Sequence, residues 1–131
     1  MISLRYQWLR DDLAVCRLDA DAPLPNWLPT GGFTSVTRTD HELSIVCAGA
    51  VVPDGIQAER GWTALQVLGP LPFDAVGILR RIAEPLADAG IPIIAIGTFD
   101  TDYVLINQAQ VRAVDAILVR SGLSLVDPLS K

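Results

Sequence analysis

Hydrophobic and polar residues alternate along residues 3–9 and 33–39, a period of two that is typical of β-strands, and a more apolar strand pattern follows each of them. Residues 19–32 lie between the second and third of these four segments and contain three prolines and two glycines, so we expect a loop there. The pattern predicts two hairpins, one from the first pair of segments and one from the second pair, with strands at 3–9, 13–18, 33–39 and 42–48.

The second half combines apolar runs with segments of helical period. Residues 51–61 read as an irregular connection with weak helical potential. After it, the pattern predicts strand, helix, strand, strand, helix and strand at 62–69, 74–90, 91–97, 103–108, 110–122 and 123–126. Asp74 and Gly90 stand at the predicted N-cap and C′ positions of the first helix. This order is typical of the split βαβ, or ferredoxin-like, arrangement.

The first half supplies strands for a second unit of this kind, with its helices reduced to loops. We therefore predict an α+β fold of two ferredoxin-like βαββαβ units, at 1–61 and 62–131, with antiparallel sheets and helices on one face. The first unit is degenerate or permuted: strand 3–9 pairs with 13–18 and takes the place of the missing last strand.

Composition narrows the classes of function. The chain has 131 residues, 50% of them hydrophobic, which suffices for a packed core. A charged fraction of 19% is low for a monomer's surface and favours coverage by another copy of the chain. The net charge is −5, and Lys131 is the only lysine; this argues against nucleic acid as a partner.

Targeting and redox signals are absent from the sequence pattern. The first residues show no signal-peptide core, and no apolar run has membrane-spanning length. We expect a cytoplasmic protein that does not bind membranes. Cys16 and Cys47 each sit in an apolar strand pattern and are expected to be buried, unpaired residues.

Candidate chemistry concentrates in AIGTFDTDYVLIN, residues 95–107, where polar residues separate two apolar strands. Asp100 fits an ordinary turn, whereas Asp102 begins a strand, an unusual place for an unpaired carboxylate. The single histidine, His41, falls in a polar turn and offers no catalytic triad. No metal-ligand spacing and no phosphate-binding glycine loop is present. We predict a non-enzymatic protein with no metal and no cofactor.

Residues 69–107, GPLPFDAVGILRRIAEPLADAGIPIIAIGTFDTDYVLIN, resemble the ACT domain, a small ligand-sensing module attached to many enzymes of amino-acid metabolism. The motif GILxxIAxPLAxAGI followed by TFDTDY is similar to the cytosolic arginine-sensor (CASTOR) family and to small bacterial tandem-ACT proteins. FTSVTRTDHELSIVCAG in the first half also fits the bacterial proteins. The resemblance implies tandem ACT-like units and a regulatory role.

The resemblance also implies a ligand site. In ACT domains a free amino acid binds where the loop and start of the first helix face the end of the second strand, often beside a neighbouring ACT domain. The partners implied are thus an amino acid and a second copy or another protein. One wall matches Phe73, Asp74, Val76, Gly77 and Ile78, and the other matches Thr98, Phe99 and Asp102. Ser35 and Thr37, on the equivalent strand of the first unit, are expected to close the site from the other side.

Two positions depart from the arginine sensors. Ala75 stands where they have an acidic residue, and Thr101 stands where they have an aromatic one. The missing acidic residue argues against arginine as the ligand, and small or neutral amino acids are at least as plausible.

Simpler explanations remain for several of these residues. Helix capping accounts for Asp74, and helix–sheet packing accounts for Gly77. Ser35 and Thr37 fit a solvated strand face. If the site is vestigial, the alternative function is a structural protein–protein interaction module.

Overall fold

The computed structural model describes residues 3–68 and 76–126. The eight strands are β1 Arg5–Trp8, β2 Leu13–Leu18, β3 Ser35–Arg38, β4 Leu43–Ala48, β5 Gln57–Val67, β6 Ile94–Gly97, β7 Asp102–Asn107 and β8 Ser124–Leu125. The two α-helices are α1 Ile78–Asp88 and α2 Val111–Arg120, and 3-10 turns cover Gly49–Val51 and Gln108–Gln110. The architecture is α+β with a mostly antiparallel sheet, as the alternating pattern predicts.

The chain forms two compact units, with boundaries after Leu9 and after Trp62. The N-terminal unit is the continuous segment Arg10–Trp62, and the C-terminal unit combines β1 with the chain from Thr63 onward. Strand β5 crosses the second division. The predicted boundary after residue 61 lies one residue from it, and the ACT-like nature of the first unit stays a prediction.

The C-terminal unit is ferredoxin-like and is built on the strand order β6-β7-β5-β1-β8. Both helices are amphipathic and bury one apolar stripe, as their spacing requires. The hydrophobic core joins the inner residues of the strands and helices: Leu4, Tyr6, Leu65, Val67, Ile78, Ile82, Leu86, Ile91, Val104, Ile106, Val114, Leu118 and Leu123. These side chains define the helix-covered face of the sheet.

The hairpin predicted between 3–9 and 13–18 is wrong. Strand β1 pairs antiparallel with β5, with Tyr6 opposite Val67, and parallel with β8, with Tyr6 opposite Leu125. Strand β1 thus lies beside β5, between it and β8, where the last strand of the C-terminal unit is expected. The inward residues Leu4 and Tyr6 complete that unit's core, which explains why burial, rather than closeness along the chain, selects the partner strand.

The N-terminal unit consists of β3, β4, β2 and the first part of β5. Neighbouring strands are antiparallel, and Cys16 and Cys47 lie in its buried cluster as free thiols, confirming the expectation for both. Burial raises the pKa of each thiol. The irregular connection predicted at 51–61 is wrong from residue 57 onward, because β5 begins at Gln57 and pairs antiparallel with β2.

Helix α1 is shorter than predicted. It begins at Ile78 instead of residue 74, and Gly77 precedes it in a left-handed conformation with φ +79°. The predicted cap Asp74 lies outside the described residues. At the other end, Gly90 has φ +75° and follows the last helical turn, as predicted for C′.

Candidate functional site

The first predicted wall begins at Val76, since Phe73 and Asp74 lie outside the described residues. The side chain of Val76 is 94% exposed, whereas Ile78 is 7% exposed and belongs to the core. Between them, Gly77 supplies a backbone conformation that side chains disfavour, and the carbonyl of Gly77 accepts from the Arg81 amide at 3.2 Å. A Cβ added at Gly77 meets no atom of the described residues within 4 Å. As far as the described part of the chain reaches, the space in front of this residue is therefore open.

The second wall is the turn that joins β6 to β7. The Thr98 amide and the Thr98 hydroxyl both donate to the Thr101 carbonyl, at 2.8 and 3.0 Å. The Thr101 amide in turn approaches the Thr98 hydroxyl at 3.4 Å. The hydroxyl of Thr98 therefore forms its hydrogen bonds within the turn. The polar pair Thr98–Thr101 thus shapes the hairpin.

Thr101 also ties this hairpin to β5. Its side chain is only 5% exposed, and its hydroxyl donates to the Val67 carbonyl at 2.5 Å. Val67 is the last residue of β5, from which the chain proceeds toward α1. The hairpin and the end of β5 therefore lie close together, at one end of the strands of the C-terminal unit. Thr101, treated in the sequence only as a departure from the family pattern, is the buried link between them.

Asp102 lies on the helix-covered side of this edge. It pairs with Gly97 across the hairpin, and it alternates with Val104 and Ile106, which belong to the core. A Cβ at Gly97 would come within 3.4 Å of Asp102 Oδ1. The side chain is half-buried, and among the described residues no hydrogen bond or ion pair satisfies its carboxylate. Asp100, by contrast, is exposed in the turn.

Phe99 is 79% exposed at the tip of the hairpin. Together with Val76 it places two large hydrophobic side chains on the surface of the C-terminal unit. An open groove of about 580 Å³ begins at Val76 and Gly77 and follows α1 past Arg80 and Glu84 to Ser121. The hairpin does not line this groove. The helix start and the hairpin belong to one unit, but this groove does not unite them.

The other predicted residues lie in the N-terminal unit. Ser35 is half-buried and Thr37 is exposed, both on strand β3, which pairs with β4. Their assignment to the ligand site stays a prediction.

A polar cluster in the C-terminal unit escaped the sequence analysis. Asp115 Oδ1 accepts hydrogen bonds from the Tyr6 hydroxyl at 2.6 Å and from the Trp8 indole nitrogen at 2.8 Å. Burial, and then the bond to Asp115, raise the pKa of Tyr6. A signal was available: Asp115 lies four residues after Val111 and three before Leu118, on the apolar face of α2.

The described residues contain no group of three or more His, Cys, Asp or Glu side chains that could hold a metal ion. Within the same residues, neither helix has the length and hydrophobicity needed to cross a bilayer.

Comparison with protein-family models assigns residues 57–120 to an ACT domain. A second model, describing an N-terminal domain, matches residues 11–55. The two matches fall on either side of residue 56.

Three relatives illustrate the similarity. The cytosolic arginine sensor for mTORC1 subunit 1 of Rattus norvegicus is 37% identical over 70 residues, which are 51% of this chain and 21% of that protein. The chain thus covers about a fifth of this curated relative's length. The crystal structure of protein Atu0741 from Agobacterium tumefaciens is 34% identical, with a TM-score of 0.91 over 97% of this chain and 95% of that one.

Aspartate kinase of Clostridium acetobutylicum, an allosteric enzyme, shares the fold at 10% identity. Its TM-score is 0.64 over 86% of this chain and 33% of the kinase. The sequence motif, the family match and the shared fold agree. The chain is an ACT domain protein related to the cytosolic arginine sensors, and it belongs to the same family as the Agobacterium protein.

Proposed function

We propose that this protein is a non-enzymatic regulator that binds a free amino acid at the edge of its ACT domain. The observation that carries the proposal is the Asp102 carboxylate, which is half-buried on the helix-covered face and has no hydrogen-bond partner among the described residues. A carboxylate that loses part of its hydration needs a compensating donor. The ammonium group of an amino acid supplies one.

The start of α1 supplies the complementary group. The first amides of a helix have no intrahelical acceptor, and the helix dipole favours a negative charge beside them. The carboxylate of the ligand would accept from the amides of the first turn, next to Gly77. Open space in front of Gly77 permits that approach. Val76, Ile78, Thr98 and Phe99 would form the walls, with Phe73 and Asp74 completing them.

The side chain of the ligand is less closely specified than its zwitterionic end. The rat relative is named for arginine sensing, but Ala75 replaces the acidic residue expected for an arginine site. A small or neutral amino acid fits this substitution. We expect the protein to act in the cytoplasm, as a homodimer or with a protein partner that responds to the bound state.

Exposure of Val76 and Phe99 favours a second candidate, a protein interaction module. Solvent-exposed apolar side chains of this size are stabilised when a partner covers them. In that case the partner binds whether or not an amino acid is present.

A thermal-shift screen with the twenty amino acids tests the proposal. A ligand at one hundred times its Kd stabilises the folded protein by about 2.7 kcal/mol, and we expect this for at least one amino acid. At the same ligand concentration Asp102→Asn should lower the stabilisation to about 1.4 kcal/mol or less, because it removes the charge that pairs with the ammonium group. Asp100→Asn is the matched control, since it removes an equal charge two residues away in the exposed turn.

The absence of any stabilisation across the screen would favour the interaction module. Equal loss in both variants would show that the net charge of the hairpin, and not Asp102, determines binding.

A further inference from the structure

A separate cleft lies wholly within the N-terminal unit. It has a volume of about 410 Å³ and is lined by Asp11, Asp12, Ala48, Gly49, Ala50 and Arg60. Small-molecule sites typically measure roughly 300–1,000 Å³. The cleft lies where the segment before β2 meets the 3-10 turn after β4 and the middle of β5. It shares no residue with the candidate site of the ACT domain.

A bulge in β5 positions the arginine of this cleft. Leu13 pairs with Trp62 and Val15 with Glu59, so β5 contains one residue more than β2 between these two pairs. Gly61 takes up the irregularity with φ +84°. Bulges of this kind redirect a side chain from its regular strand direction. Here the redirected side chain is Arg60.

The guanidinium group of Arg60 is held by backbone carbonyls. It donates from Nη1 to Gly49 at 2.9 Å and from Nη2 to Val52 at 3.1 Å. Two bonds from one planar group fix its orientation, and a guanidinium has five N–H donors in all. The group therefore retains donors beyond those that hold it in place.

A backbone hydrogen bond joins the two walls of the cleft. The Gly49 amide donates to the Asp12 carbonyl at 2.7 Å. The backbone on both sides of the cleft is thus fixed by hydrogen bonds and does not depend on a ligand for its shape.

Arg60 and Asp11 bring opposite charges to the cleft. Asp11 Oδ2 accepts from the Phe33 amide at 3.1 Å. Within the described residues, Arg60 forms no ion pair, although Asp11 lines the same cleft. A simple anion would be attracted by Arg60 and repelled by Asp11, and a simple cation would meet the reverse. A molecule carrying both charges complements this pair of side chains.

We infer that this cleft is a second binding site, specific for a small zwitterion of the size of a free amino acid. Its carboxylate is bound by the guanidinium of Arg60, with charge-assisted hydrogen bonds. Its ammonium group is bound by the Asp11 carboxylate. The inference rests on residues of the N-terminal unit alone, so it can fail while the proposed function stands, and the reverse.

Amide NMR of the full ¹⁵N-labelled chain tests the inference. Each of the twenty amino acids is titrated, with acetate and methylammonium as single-charge controls. The Gly49 and Gly61 amides report on the cleft, and the Gly77 and Gly97 amides report on the ACT site. We expect at least one amino acid to shift Gly49 and Gly61 in a saturable way, while neither single-charge control does so at equal concentration.

Two variants separate the sites. Asp11→Asn keeps an acceptor for the Phe33 amide but removes the charge, and it should weaken the Gly49 and Gly61 titration at least tenfold. Asp102→Asn should leave that titration unchanged. The inference is overturned if no amino acid moves Gly49 and Gly61, if acetate alone reproduces the shifts, or if Asp11→Asn binds as tightly as the parent protein.

Discussion

Two half-buried aspartates of the C-terminal unit have opposite surroundings. Asp115 accepts from both Tyr6 and Trp8 and fastens α2 to β1. Asp102 begins β7 at the sheet edge, and no described residue donates to its carboxylate. A carboxylate bonded by its own protein contributes to folding, whereas one without such bonds is available to a ligand. The contrast therefore separates structural acidic residues from functional ones within a single domain.

The strongest test of this contrast is Asp115→Ala. The change leaves the Tyr6 hydroxyl and the Trp8 indole N–H without their acceptor, and each unpaired buried donor costs about 1–3 kcal/mol. We expect the free energy of unfolding to fall by about 2–4 kcal/mol in urea denaturation. Asp115→Asn keeps an acceptor oxygen and should lose less. A loss below about 0.5 kcal/mol in Asp115→Ala would show that the cluster does not stabilise the fold.

Alkaline pH acts on the same cluster. The pKa of Tyr6 is raised above the ordinary tyrosine value of 10.0, so above that pH the unfolded state loses the proton while the folded state keeps it. The stability that Tyr6 contributes is therefore fully present below about pH 10 and decreases as the pH rises further. The thiols of Cys16 and Cys47 contribute a decline of the same sign.

Tyr6→Phe isolates the tyrosine contribution. The variant should have a lower free energy of unfolding at neutral pH but a shallower decline between pH 10 and 11, measured by urea denaturation at each pH. Identical slopes in the two proteins would contradict the role assigned to Tyr6.

Thr101→Val tests the link between the hairpin and β5. The variant removes the donor to the Val67 carbonyl while keeping the side-chain shape, and it should destabilise the protein by about 1–2 kcal/mol. Thr101→Ser retains the hydroxyl and should be closer to the parent protein. If the valine variant is as stable as the serine variant, the hydrogen bond does not hold this edge together.

Much of the fold was predictable because its elements follow local patterns. The apolar stripes of α1 and α2, the turn at Gly90 and the β6–β7 hairpin all depend on neighbouring residues. The position of β1 was not predictable in this way, since a strand with Leu4 and Tyr6 inward could pair with a strand of either unit. Pairing with β5 places these residues in a core with α1 and α2, a long-range effect that alternation does not reveal.

The candidate site shows the same limit. The motif around residues 98–102 predicts that Thr98 and Asp102 belong to the ligand site, but it does not distinguish their roles. The hydroxyl of Thr98 bonds within the turn, and the hydroxyl of Thr101 bonds to β5. Only hydrogen-bond partners, which depend on residues distant in sequence, distinguish Asp102 as a carboxylate to which no described residue donates.

Substitution of Asp102 should have the smallest effect on stability and the largest effect on ligand binding. Isothermal titration calorimetry with the amino acid that stabilises the parent protein measures the binding effect most directly. The account predicts that Asp102→Asn weakens binding by at least about tenfold, roughly 1.4 kcal/mol, while the unfolding free energy changes by less than about 0.5 kcal/mol. An unchanged Kd in a folded Asp102→Asn protein would contradict it.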